Sequence, residues 1–140
     1  RKPSTDMAQT FKLEVVTPDK LVVEDSAEEL QLPGKKGYLG ILPGHAPLIT
    51  ELDVGELTYR RDGLTTRLFL AWGFAEVLPD KVTILAETAE RAEEIDIARA
   101  ERARERAQER LKKLEPGTDH PRAQSALQRA LARLFVAGKK

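Results

Sequence analysis

The feature that most limits what this chain can become is a change of period near residue 88. Before it, apolar and polar residues alternate, as in "FKLEV", where Phe11, Leu13 and Val15 share one face and Lys12 and Glu14 the other. Successive side chains of a strand point to opposite faces, so this pattern makes a half-buried strand. After it, Ile97, Ala100, Ala103, Ala107, Leu111 and Leu114 recur at steps of three and four. That spacing lines one face of a helix of about 20 residues. The two periods predict an α+β chain in two parts: an N-terminal antiparallel β-sandwich or barrel over 11–88, then a C-terminal antiparallel two-helix hairpin over 89–140.

Turn residues divide the first part. In "ELTYRRDGLTTRLFLA" the Asp62-Gly63 pair suits a tight turn that needs positive φ, and strands run into and out of it. "FAEVLPDKVTILAE" repeats the arrangement around Pro79-Asp80. Strand-sized runs spaced by about 8–12 residues argue for an antiparallel sandwich or barrel. The polar, aperiodic "RKPSTD" before Met7 reads as a leader, so 1–10 are set outside the fold.

In the second part, "EPGTD" breaks the first helix at Pro116-Gly117. Thr118 or Asp119 can cap the next helix, and Pro121 fits its first turn. Ala123, Ala126, Leu127, Ala130, Leu131, Leu134 and Phe135 are expected on one side of it. Facing surfaces so rich in alanine bury little apolar area, while ordering each residue costs about 1–2 kcal/mol of backbone entropy. The hairpin is therefore expected to be marginal in isolation and able to separate or swing.

Composition excludes several chemistries. With no cysteine, disulfides, thiol nucleophiles and cysteine zinc sites are ruled out. The longest apolar run, "LFLAWGFA", falls well short of the roughly 20 residues that span a bilayer as a helix. The two histidines, His45 and His120, lie far apart in turns, with no metal-ligand spacing around them. No serine sits in a nucleophile elbow. The glycines of "LPGKKGYLGILPGHAPLI" fit neither phosphate-loop pattern, and Pro43 and Pro47 oppose a loop opening into a helix. That segment reads instead as an ordered surface loop. It presents Tyr38, Leu39, Ile41 and Leu42, with His45 beside them, as an apolar docking surface.

Arginines dominate what is left. Residues 1–88 hold 10 Lys/Arg against 14 Asp/Glu, whereas 89–140 hold 13 against 9, so an acidic part precedes a basic one. Arg99, Arg102 and Arg106 share a flank, and Arg129 and Arg133 form an i, i+4 pair on the second helix. Acidic residues interleave with these bases and no aromatics accompany them, which argues against nucleic acid. A solvated face laced with weak pairs, or a pocket in which arginine forks hold a polyphosphate, both remain open.

"GYLGILPGHAPLITEL", then "FAEV", "VTILAE" and "IDIARAERARER", resemble the epsilon subunit of the bacterial rotary, proton-translocating ATP synthase from Phe11 to about Val136. The resemblance implies a non-catalytic subunit of the central rotor. Its sandwich would be clamped between the gamma subunit and the ring of c subunits at the cytoplasmic face of the cell membrane, touching the membrane only through the complex. The hairpin would either fold down on the sandwich or extend toward the alpha/beta hexamer and inhibit ATP hydrolysis. The family's I/L-D-x-x-R-A motif is present at Ile95, Asp96, Ile97, Ala98, Arg99 and Ala100. In some members that motif belongs to a regulatory ATP site. By this likeness Glu90, Ile95, Asp96, Arg99, Arg106, Arg129 and Arg133 are the expected ATP-contacting residues, with no catalytic cofactor. The alternative is the same rotor subunit with no working ATP site, its arginines meeting only the catalytic beta subunit.

Overall fold

The computed structural model describes residues 9–113 and 115–138. The leader expected before Met7, and Leu114 of the first helix face, lie outside them. Eight strands come first: β1 (Phe11–Val16), β2 (Leu21–Ala27), β3 (Glu29–Gly34), β4 (Gly37–Ile41), β5 (Leu48–Leu52), β6 (Gly55–Arg61), β7 (Leu64–Val77) and β8 (Lys81–Arg91). A 3₁₀ turn at Ala92–Glu94 leads into α1 (Ile97–Lys112) and α2 (His120–Val136). The strand order is β2-β1-β8-β7-β5-β3-β4, with β6 paired to β3 and β7.

The two expected hairpins form. Asp62 and Gly63 take φ of 53° and 78°, the double left-handed turn that matches the twist of the strands, and Arg61 pairs with Leu64 across it. At Pro79-Asp80 the chain returns so that Val77 pairs with Val82. The sandwich is not antiparallel throughout, because β1 runs parallel to β8. These strands come from opposite ends of the sandwich, so no tight turn dictates their direction. The first half of the segment read as a loop, 32–49, is a third hairpin: β3 pairs with β4 from Leu30↔Ile41 to Gly34↔Gly37, turning over Lys35-Lys36.

β7 joins the two sheets. Its first half pairs with β6 and its second with β5, and the chain bends between them at Trp72 (φ 53°) and Gly73 (φ 143°). A Cβ at Gly73 would lie 1.9 Å from the Leu85 carbonyl oxygen, so only glycine lets the two backbones approach this closely. Phe11, Leu13, Val15, Leu30, Leu32, Ile41, Leu52, Leu57, Leu68, Leu70, Val82 and Ile84 fill the space between the sheets. Each large aliphatic contributes about 1.5–3 kcal/mol by leaving water.

At the sandwich edge the Asp25 carboxylate accepts from the Tyr59 hydroxyl (2.9 Å), the Ser26 amide (2.8 Å) and Arg61. Burial would raise Asp25, but these donors outweigh it and hold the group below its ordinary 3.8. Tyr59 is raised, first by burial and then by donating to Asp25.

The middle of β7, Leu68 to Ala71, is buried on both faces. Leu68 and Leu70 point between the sheets, while Phe69 and Ala71 point outward under α2 and cluster with Ile95 and Val136. Both helices start at an aspartate cap: Asp96 accepts from the Arg99 amide at 3.1 Å, and Asp119 accepts from the Arg122 amide at 3.0 Å. α1 ends at Lys112, shorter than its apolar period suggested, and Lys113 is already extended. His120 reaches back to the Lys113 carbonyl at 2.8 Å and ties the two helix ends together.

Ala100 and Ala107 of α1, with Ala123, Ala130 and Leu134 of α2, are buried as the spacing in steps of three and four predicts. Leu131 and Phe135 are not on that side; they are about half exposed. Each follows a buried residue by one position, which is about 100° around the helix. Val136 is the α2 residue that reaches the sheet in their place.

Candidate functional site

β8 runs on to Arg91, past the expected boundary at 88, and its buried positions shift from Val82, Ile84 and Ala86 to Ala89, so Glu90 is a sandwich residue on the opposite face from Ala89. It pairs across the strands with Phe69 of β7, on the outer face that α2 covers. Arg133 of α2 lands on both. Its Nε and a terminal nitrogen donate to the two Glu90 carboxylate oxygens at 3.0 and 3.1 Å, and its guanidinium lies 4.5 Å from the Phe69 ring centre. A bidentate fork on a carboxylate with an aromatic plane beneath is a geometry arginine alone satisfies.

One turn earlier on α2, Arg129 stacks 5.3 Å from the centre of the Trp72 ring, which the bend in β7 turns toward the helix. At the far end of α2, Arg67 of β7 donates to the Phe135 carbonyl at 3.2 Å while also pairing with Glu56. A cation against the last carbonyls of a helix is favourable both as a cap and toward the helix dipole.

Beside this contact opens a cavity of about 500 Å³ lined by Glu90, Glu94, Asp96, Arg99, Ala100, Ala103, Arg106 and Arg133. It lies where the end of β8, the start of α1 and the last turns of α2 meet. The amino-terminal end of α1, where Asp96 caps the Arg99 amide, brings the positive end of the helix dipole to it. Arg99 and Arg106, two turns apart, present guanidiniums to the same space, and Ala100 and Ala103 leave the room in which a ligand could lie. The chemistry on offer is recognition of a polyanion with attached polar groups.

Five of the seven expected ATP residues therefore meet: Glu90, Asp96, Arg99, Arg106 and Arg133. Ile95 does not line the cavity. It is buried against Phe69, Ala71 and Val136, because the chain must plug the apolar patch before turning into α1. Arg129 is also outside it, occupied with Trp72. Ala100, the last residue of the motif, also lines it; sequence reasoning missed Glu94 and Ala103 as lining residues and Phe69, Trp72 and Arg67 as the platform. The four-residue apolar run "LFLA" was the available signal, since a strand buried on both faces needs cover on both.

The expected docking surface divides. Ile41 is 1% exposed and belongs to the core, and Leu39 is half-buried against it, because strand pairing in β4 sends both inward. Tyr38 and Leu42 remain exposed. Tyr38 accepts at its hydroxyl from the Glu56 amide (2.9 Å), and the His45 ring bonds the neighbouring Ala46 carbonyl at 2.7 Å, ordering its turn. A second exposed apolar group, not expected from the sequence, is formed by Ile49, Phe74 and Leu85 on β5, β7 and β8, where Phe74 and Leu85 are cross-strand partners. Among the described residues no helix is long and apolar enough to cross a membrane.

Fold and site together define a class: a small sandwich whose appended helix pair folds back to close a polar cavity. The beta-sandwich domain of the ATP synthase delta/epsilon chain matches residues 10–92, and the long alpha-helix domain of the same chain matches residues 93–138. The chain belongs to the ATP synthase delta/epsilon chain family. It is 71% identical over 105 residues to the ATP synthase epsilon chain of Koribacter versatilis, covering 75% of this chain and 74% of that one. It is 50% identical over 132 residues to the ATP synthase epsilon chain of Nitratidesulfovibrio vulgaris strain DP4, covering 94% and 98%. A similar fold occurs in the Euglena gracilis mitochondrial ATP synthase OSCP/F1/c-ring structure, with a TM-score of 0.76 at 21% identity over 91% of this chain and 83% of that one.

Proposed function

We propose that this chain is a non-catalytic epsilon-type subunit of the ATP synthase central stalk, peripheral at the cytoplasmic face of a bacterial membrane. In this reading the sandwich docks between the gamma subunit and the c ring. The exposed apolar groups around Tyr38 and Leu42, and around Ile49, Phe74 and Leu85, give it the kind of surface subunit contact requires. The hairpin regulates hydrolysis: folded on the sandwich it is permissive, and extended toward the alpha/beta hexamer it inhibits.

The observation that carries the regulatory part is the cavity at the start of α1. A polyphosphate there lies on Arg99 and Arg106 of α1, beside the contact by which Arg133 of α2 meets Glu90 at the end of β8, so it sits at the junction of every element whose separation would open the hairpin. Ligand that binds only the folded arrangement stabilises it by RT ln(1 + [L]/Kd). ATP at millimolar concentration would then favour the folded hairpin and relieve inhibition. Calorimetric titration of the whole chain with ATP tests this: saturable heat is expected, lost or greatly weakened in Arg99→Ala. No heat at millimolar ATP, or an Arg99→Ala variant that binds as well, contradicts the site.

A second reading rests on the exposure of Arg99, Arg102 and Arg106 along one flank of α1. There the arginines serve only as the basic surface that meets the beta subunit. It predicts no ATP heat but loss of hydrolysis inhibition when the three are neutralised in the assembled enzyme.

A further inference from the structure

The arginines of α2 are engaged before any ligand arrives. Arg133 has its fork filled by Glu90 and its face on Phe69, and Arg129 lies on Trp72. All three partners belong to the sandwich, and Glu90 and Phe69 are presented side by side by strand pairing that exists without the hairpin. Arg99 and Arg106 differ: among the described residues neither has an ion-pair partner.

We propose that Glu90, Phe69 and Trp72 form a ligand-independent clasp for Arg133 and Arg129 that sets the resting position of the hairpin, while Arg99 and Arg106 are the groups left for a polyphosphate. This rests on the regulatory reading above and divides its arginines into two jobs. Glu90 is then a positioning residue. It holds the Arg133 fork at the wall of the cavity and does not itself contact the ligand. The clasp is chemically suited to the task, because a carboxylate beneath a guanidinium offers the same pair of oxygens that a phosphate would, and the ring beneath it excludes water from one side. It lies on the second half of α2 beside the apolar patch of Phe69, Ala71, Ile95 and Val136, so its loss weakens the docking of the whole helix pair. Nucleotide adds to a folded state that the clasp already supports.

The chain contains a single tryptophan, Trp72, which lies under α2, so its fluorescence reports on docking directly. Acrylamide quenching of Trp72 in the full-length, nucleotide-free chain is measured for the parent, Glu90→Gln, Arg133→Lys and the solvent-facing control Arg102→Ala. Glu90→Gln removes the charge while keeping the shape, and Arg133→Lys keeps the charge while removing the fork. The thermal transition of the strands confirms that each variant is folded. The quenching constant is expected to rise roughly twofold or more in both clasp variants, as the hairpin spends more time open, and to stay at the parent value in Arg102→Ala. Parent-like quenching in both clasp variants overturns the clasp. Repeating the series with ATP separates the two ideas. Renewed shielding in the clasp variants supports both, whereas variants that stay open with ATP, beside a parent that ATP does not alter, leave the clasp standing and remove the ATP site.

Discussion

The two parts of this molecule are stabilised in different ways. Between the sheets, Leu13, Leu30, Leu32, Leu57, Leu68 and Leu70 are completely buried. Between the helices the buried residues are mainly Ala100, Ala107, Ala123 and Ala130, with Leu134 as the large exception. An alanine removes far less apolar surface from water than a leucine does, yet the backbone entropy that ordering costs is similar for both. A sandwich built this way can hold its shape alone. The helix pair depends on the patch formed by Phe69, Ala71, Ile95 and Val136 and on the arginine contacts beside it. One part carries its own large apolar core, and the other rests on it through a small patch and a few arginine contacts.

The largest effect that bears on this contrast is expected at Gly73. A methyl group there would strike the Leu85 carbonyl in a backbone region alanine avoids, so Gly73→Ala should cost about 4 kcal/mol or more and unfold the sandwich and hairpin together. Denaturant unfolding checks it; a variant with parent stability would mean that the bend in β7 is not a fixed corner.

Leu134→Ala comes next. It should cost about 2–3 kcal/mol, the lower part of the range for a buried leucine because α2 lies at the surface, but the loss should appear in the helices only. Helix signal in circular dichroism should fall at lower denaturant while the strand transition stays in place. A single coincident transition shifted as a whole would show that the two parts are not separable.

The smallest effect belongs to the sandwich and is visible only in acid. Asp25 lies below its ordinary 3.8, so its contribution is present in full above about pH 4 and is lost as pH falls through the depressed folded value. Asp25→Asn should flatten the acid limb of the strand transition and leave hairpin docking unchanged. Tyr59, raised by burial, acts in the opposite sense: its contribution is present below its ordinary 10.0 and is lost as pH climbs through the raised folded value.

Much of the fold was readable because its signals are local. Asp62-Gly63 demands a tight turn by its backbone preference, and the alternation of β1 is complete within six residues. The β3–β4 hairpin was not readable, because its Lys35-Lys36 turn carries none of the usual turn residues and the surrounding glycines and prolines suggested a loop. Nor was the parallel β1–β8 pair, whose partners are distant in the chain. The cavity was half readable. Asp96, Arg99 and Arg106 share one helix, so their spacing places them together, and Arg133 could be matched to the family. Its link to Glu90 required knowing that β8 runs on to Arg91 and sets Glu90 beside Phe69. The exposed Leu131 and Phe135 show the limit of a helical period: it marks an apolar arc without saying which part of the arc meets a neighbour.

Native-state hydrogen exchange on the intact chain, followed amide by amide over low denaturant, tests the central claim most directly. If the hairpin is a movable piece on a rigid base, amides of α1 and α2 should share one opening free energy well below that of β1, β6, β7 and β8, and ATP should raise the helix value alone. Strand and helix amides that exchange through a single common opening, unchanged by ATP, would contradict it.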